Sequence, residues 1–208
     1  MLAGHLGIAQ IARAVRREVP IGWLLVAAYL PDLVRALGTP FSPQNSIELY
    51  SHSIPAVATL AILVAGAWVL RGGTIGGACA LMTACVLHWP ADVITGCKPT
   101  TWHGPWLGLI YYRRPVSDLA IEGLLLAAGW YLVRRRLASD DRFQRDWVFV
   151  LAAGAQLAFL GSMYANAEFL IGNREWLWEP RKSLLPVPHV LEELKCRRPE
   201  ENPAVSGV

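Results

Sequence analysis

Charge is what this sequence has least of. Only 17% of its 208 residues are Asp, Glu, Lys or Arg, where an ordinary soluble domain carries about a quarter. The formal charge of +3 is small and spread along the chain, which argues against a nucleic-acid partner. Paired cysteines are missing too. Cys79, Cys85, Cys97 and Cys196 form no CxxC pair, so neither a thiolate zinc site nor a disulfide framework is expected. Two of them lie in an apolar run, where a thiol behaves as a small hydrophobe. A secretory leader is not evident either: "MLAGHLGIAQIARAVRR" places its charges after the apolar residues, the reverse of a signal peptide, and is expected to belong to the mature protein. Apolar surface is abundant. The chain is 54% hydrophobic with nine Trp and a mean hydropathy of +0.35, the balance of a membrane protein.

A spanning helix needs roughly 20 mostly apolar residues. Segments 53–70 and 147–164 are uncharged, and 74–91 contains only His88. Segment 116–133 carries Asp118 and Glu122, while 20–37 is interrupted by Pro31, Asp32 and Arg35. With a short helix over 3–18, these predict an all-α fold, a polytopic membrane bundle of about five spanning helices. The bundle would occupy residues 1–172, and 173–208 would be a polar, peripheral and partly disordered tail.

Basic residues suggest the orientation. One side of the predicted topology, side A, gathers Arg13, Arg16, Arg17, Arg71, Arg134, Arg135, Arg136, Arg142 and Arg145, whereas side B gathers Arg35, Lys98, Arg113 and Arg114 before the tail. The excess makes A the cytoplasmic side. Trp23, Trp68, Trp130 and Trp147 then fall at the A ends and Trp89, Trp102 and Trp106 at the B ends, as interfacial belts require. On this map Asp32, His52, His88, Asp92, Asp118 and Glu122 all lie towards B. His5 joins them if the first helix starts at B and turns at Val19 and Pro20. Ionisable groups are costly inside a membrane, so a convergent set marks a functional site.

Imidazole with carboxylate suits a divalent ion, with zinc first and manganese second. His88 and Asp92 stand four residues apart, on one face of a helix. His52 in "YSHSIP", Asp32 in "YLPDLVR" and His5 in "AGHLGIA" complete the expected ligand set. Such a metal polarises a phosphoryl or carbonyl oxygen and activates a water. Asp92 belongs to this catalytic group, and Glu122 is the expected general base. The loop "TGCKPTTWHGPWLGLIYYRR" offers Lys98, His103, Arg113 and Arg114 to an anionic substrate, or else serves as an interfacial anchor. Asp118 is expected to pair with Arg113, Arg114 or Arg35.

The order "GH" at the start, "LPD" at 30–32, "SHS" at 51–53 and "HxxxDxxT" at 88–95, followed by a Gly/Pro/Trp loop, resembles the membrane-bound metal-dependent hydrolase family. These are small bacterial inner-membrane proteins that include the LexA-associated, SOS-regulated member. The resemblance covers about residues 3–110. It implies metal-dependent hydrolysis at the inner membrane, with His5, Asp32, His52, His88 and Asp92 as ligands and Thr95 as a nearby hydroxyl. The chain departs from the family's "LPDxD" and "HRGxTHS" forms, having Leu33, Val34 and Arg35 after Asp32 and "IELYSHS" before the helix. Ligands that a second metal would use are thereby lost.

The leading expectation is a membrane hydrolase acting on a phosphoester or lipid-linked substrate, with membrane lipids as its surroundings. A proton-relay transporter through His88, Asp92 and Glu122 is an alternative. Another is a non-catalytic scaffold with a structural metal, its tail recruiting a protein partner.

Overall fold

The computed structural model describes residues 3–41, 44–109 and 115–136, with positions 150–151, 153–155, 157–158 and 195–196. Among the described residues the main helices are α1 (Ala3–Val15), α2 (Ile21–Gly38), α3 (Gln44–His52), α4 (Ile54–Leu70), α5 (Ile75–Val86), α6 (His88–Thr95) and α7 (Pro115–Arg136). The protein is all-α apart from two-residue strands β1 (Lys98–Pro99), β2 (Trp106–Leu107) and β3 (Lys195–Cys196). These form one antiparallel sheet in that order, with Pro99 opposite Trp106 and Trp106 opposite Cys196.

Local chemistry sets the helix ends. The Ser53 hydroxyl accepts from the Ala56 amide at 3.4 Å and Pro55 occupies the first turn of α4, where its missing donor costs nothing. Thr74 caps α5 through the Gly77 amide at 3.0 Å. Between α4 and α5 the chain turns through Gly72, whose φ of 81° suits a residue without a side chain. The continuous apolar run breaks at Leu87, with Pro90 in the first turn of α6. This small break re-aims the polar face of α6.

Packing is close where residues are small. α4 lies on α5, α2 on α5 and α1 on α7, around a core of Leu24, Ala27, Val57, Ala61, Leu81 and Ala84. A Cβ on Gly7 would stand 2.4 Å from the Leu125 carbonyl oxygen, and one on Gly129 2.6 Å from that of Gly7. α1 and α7 therefore meet backbone to backbone. At one end of the bundle Trp23 packs edge-on against Trp68 and lies under the Arg71 guanidinium. Outward faces remain apolar, with Ile62, Leu63, Ile75 and Leu124 exposed.

Two described helices are long and apolar enough to cross a membrane, α2 and the α5–α6 run Ile75–Thr95. The expected five spanning helices are not borne out. α4 is apolar but only 17 residues long, and α7 carries Asp118, Glu122 and three terminal arginines. The segment expected at 147–164 falls largely outside the described residues, as does the tail after 173 except Lys195 and Cys196, which are paired to β2. The expectation about cysteine also needs correction: Cys79 and Cys85 are free, but Cys97 is disulfide-bonded. A disulfide between distant segments leaves no spacing signature, so the sequence could not show it.

Candidate metal centre

Four helices bring the cluster together: α1 supplies His5, α2 Asp32, α3 its last residue His52, and α6 both His88 and Asp92. One ligand atom each from Asp32, His52, His88 and Asp92 lies within 4.8 Å of the others. Asp92 is the hub. Its Oδ2 is 3.3 Å from His88 Nε2, 3.4 Å from His52 Nε2 and 3.1 Å from Lys98 Nζ, and its Oδ1 is 3.3 Å from His5 Nε2. Asp32 faces it, with Oδ1 3.2 Å from His52 Nε2 and Oδ2 3.7 Å from His5 Nε2. The rings of His5 and His88 stand 4.0 Å apart at their centroids. The five residues expected as ligands thus lie together, four of them within the 4.8 Å group and His5 beside Asp92. The three imidazoles are fully buried, while the Asp32 side chain is 39% exposed. The cluster has one open side.

The outer ring nitrogens fix the orientation of two imidazoles. His88 Nδ1 is 2.8 Å from the Ala28 carbonyl oxygen, which can only accept, so Nδ1 carries the proton and Nε2 presents its lone pair to the cluster. Pro31 interrupts the α2 ladder one turn later. His52 Nδ1 is 2.7 Å from Ser51 Oγ, whose own proton goes to the Ile47 carbonyl at 2.8 Å. His52 Nδ1–H therefore donates to Ser51, and Nε2 again faces inward. Anchors of this kind orient histidine ligands and raise their basicity.

Buried atoms without partners point the same way. His88 Nε2 and both ring nitrogens of His5 find no hydrogen bond, a cost that a protein normally avoids. Burial, opposed by Asp92 and assisted by His88, lowers His5 to about 4, so its imidazole is neutral at ordinary pH. Burial alone would lower His52 as well, but hydrogen bonds to Asp32 and Asp92 outweigh it and raise this group above its usual value. Neutral imidazole with carboxylate is the donor set of zinc and manganese sites. A divalent cation fits these residues.

Around the cluster lies an ion-pair chain that the sequence did not reveal. Lys98, buried on β1, places Nζ 2.6 Å from Glu48 Oε1, and Arg35 Nε is 3.0 Å from Glu48 Oε2. Burial works against the Lys98 ammonium, but Asp92 and Glu48 outweigh it and hold this group above the usual lysine range. The available signal was the spacing of Glu48 and His52, four residues apart on α3, with His52 Nδ1 4.0 Å from Glu48 Oε1. Lys98, expected to meet substrate, therefore stands against the candidate ligand Asp92 itself.

The other predicted residues lie elsewhere. Glu122 is not part of the converging set: its Oε2 accepts from the Ala3 and Gly4 amides at 2.8 and 3.2 Å. Asp118 is buried with neither oxygen hydrogen-bonded. Its expected partner Arg35 is taken by Glu48. His103 is exposed in the turn between β1 and β2. Arg113 and Arg114 lie outside the described residues. Thr95 Oγ1 is buried and turned to the Ala91 and Asp92 carbonyls at 3.5 and 3.4 Å.

Compared with protein-family models, curated proteins and solved structures, the chain matches none.

Proposed function

We propose that this chain is a bacterial inner-membrane, multi-pass metal-dependent hydrolase, related to the membrane-bound metal-dependent hydrolases whose motifs it resembles. The observation that carries the reading is the inward convergence of His52 and His88 Nε2 on Asp32 and Asp92, with each Nδ1 already satisfied. His5, Asp32, His52, His88 and Asp92 hold one zinc, or manganese in its place. Held there, the ion supplies Lewis acidity, lowering the pKa of a water molecule and polarising a phosphoryl oxygen.

The chain's own residues favour an anionic phosphoester or lipid-linked substrate. Asp32 is the only ligand open to solvent, so substrate and water enter over it. Arg35, half-exposed and one helical turn from Asp32, lies beside that opening. Lys98, held by Glu48, keeps a second positive charge next to Asp92. Two cations beside a metal stabilise charge that builds on a phosphoryl group.

Side B, where the cluster lies, is the non-cytoplasmic side. The arginines at the far ends of α1, α4 and α7 support this orientation, and so does the Cys97 disulfide, because disulfides persist in oxidising compartments.

Metal analysis of purified protein, with turnover on a panel of lipid phosphates, tests the proposal. Bound zinc or manganese, lost in His88→Ala, with phosphate release that falls at least tenfold in Lys98→Met, is the expected result. No metal under zinc, manganese and iron loading would overturn it. Ion flux through liposomes that survives metal removal would favour a transporter, and metal without turnover would favour a scaffold.

A further inference from the structure

We propose that Glu122 is a positioning residue for the metal centre: it clamps the first turn of α1 and so fixes His5 as the fifth ligand. The inference rests on the metal reading above and extends it to a helix that contributes no ligand.

α7 packs chiefly against α1, so its influence on the cluster passes through that helix. A helix begins with amide groups that lack internal partners, and in α1 the first two, Ala3 and Gly4, donate to Glu122 Oε2 at 2.8 and 3.2 Å. A buried carboxylate at this position also meets the positive end of the helix dipole. The residue that follows these two amides is His5. The close approaches of Gly7 to Leu125 and of Gly129 to Gly7 hold α1 against α7 sideways. These contacts are apolar, and α1 also packs against α2 and α5. Glu122 adds the polar contact at the end that bears His5.

The requirement for accuracy is visible at His5. Neither ring nitrogen has an outer hydrogen-bond anchor like those that Ser51 and the Ala28 carbonyl give His52 and His88, and the ring instead packs edge-on against Tyr29 and beside His88. Its Nε2 is 3.3 Å from Asp92 and 3.7 Å from Asp32. The first turn of α1 carries this ring to the cluster, and Glu122 holds that turn. Asp118, one turn away on the same face of α7, neighbours Glu122 but accepts neither of the two α1 amides, so it offers a comparison at the same end of the helix.

The test is zinc titration of the full-length protein in detergent, with the visible spectrum of the cobalt-substituted form. Outer-shell partners typically alter metal affinity by about 10–100-fold, so Glu122→Leu should weaken zinc binding at least tenfold. Glu122→Gln, which keeps an acceptor oxygen, should recover most of it. His5→Ala should weaken binding equally, and Glu122→Leu added to His5→Ala should then do nothing further. Such non-additivity marks two residues acting through one contact. The cobalt spectrum of Glu122→Leu should match that of His5→Ala, a change that loss of stability alone would not produce. Asp118→Asn should stay within twofold of the parent.

Equal losses from Glu122→Leu in both backgrounds would overturn the clamp, as would unchanged affinity in Glu122→Leu while the parent binds zinc. Loss of a second zinc equivalent in Asp118→Asn would overturn it in favour of a cation site on α7. A parent protein that binds no zinc would overturn the metal reading and the clamp together.

Discussion

Two helices each present an ionisable residue four positions from a second, His88 and Asp92 on α6 and Asp118 and Glu122 on α7, and their surroundings diverge. Asp92 is met by three imidazoles and a lysine. Asp118 is equally buried, and its neighbour is a second acid, Glu122. Glu122 spends its contacts on the backbone of another helix. Spacing alone says that two side chains share a face. What that face meets depends on which helices pack beside it, and only the first face meets a set of ligands.

The largest effect should separate these two aspartates. Asp92→Ala removes the hub and leaves Lys98 with only Glu48. Zinc content should fall below a tenth of the parent's, and the metal-free protein should lose about 3 kcal/mol in chemical denaturation, the scale of a broken buried ion pair. Asp118→Leu should cost far less or raise stability, since it removes a buried acid that lies beside another acid, Glu122. A loss of comparable size in the two variants would erase the distinction.

Next in size is Gly7→Val. Its Cβ would press on the Leu125 carbonyl and push α1 off α7, at a cost of about 1–3 kcal/mol. Zinc affinity should drop with it, as read by titration at a temperature where the variant remains folded. An affinity equal to the parent's would detach α1 from the centre.

A smaller and graded effect comes from pH. In the metal-free protein His52 is held above its ordinary value, despite burial, by Asp32 and Asp92. Zinc must displace that proton. Affinity should therefore begin to fall at a pH above the usual histidine value of about 6.5 and keep falling as acid is added. Calorimetry in two buffers of different ionisation heat should record proton release that grows as the pH is lowered towards the usual histidine value. His5, already neutral, should release none.

The smallest effect belongs to His103→Ala. This residue is exposed in the turn beyond β1, and zinc affinity should change by less than twofold. A larger change would bring the loop into the site.

Much of this arrangement was legible from composition and periodicity. Apolar runs predicted 20–37, 53–70, 74–91 and 116–133, where α2, α4, α5 with part of α6, and α7 lie. The ligand set was legible because ionisable residues in apolar surroundings are conspicuous. α3 was not, since "QNSIELYSH" is polar and its helical form depends on packing against α2 and α4. Glu48, Arg35 and Lys98 come from three separate elements, and no local pattern announces that they will touch. Glu122 was legible as a buried acid but not in its contacts. Its partners are two backbone amides, which every sequence possesses and none displays.

Asp32 has one further consequence. In the proposed metal centre the four other ligands are buried among the described residues, and the approach to the ion passes over this one carboxylate. Substrate, product and chelator then share one doorway and must take turns, so a tightly held phosphate product would act as a stopper, slowing the escape of the metal as well as the arrival of the next molecule.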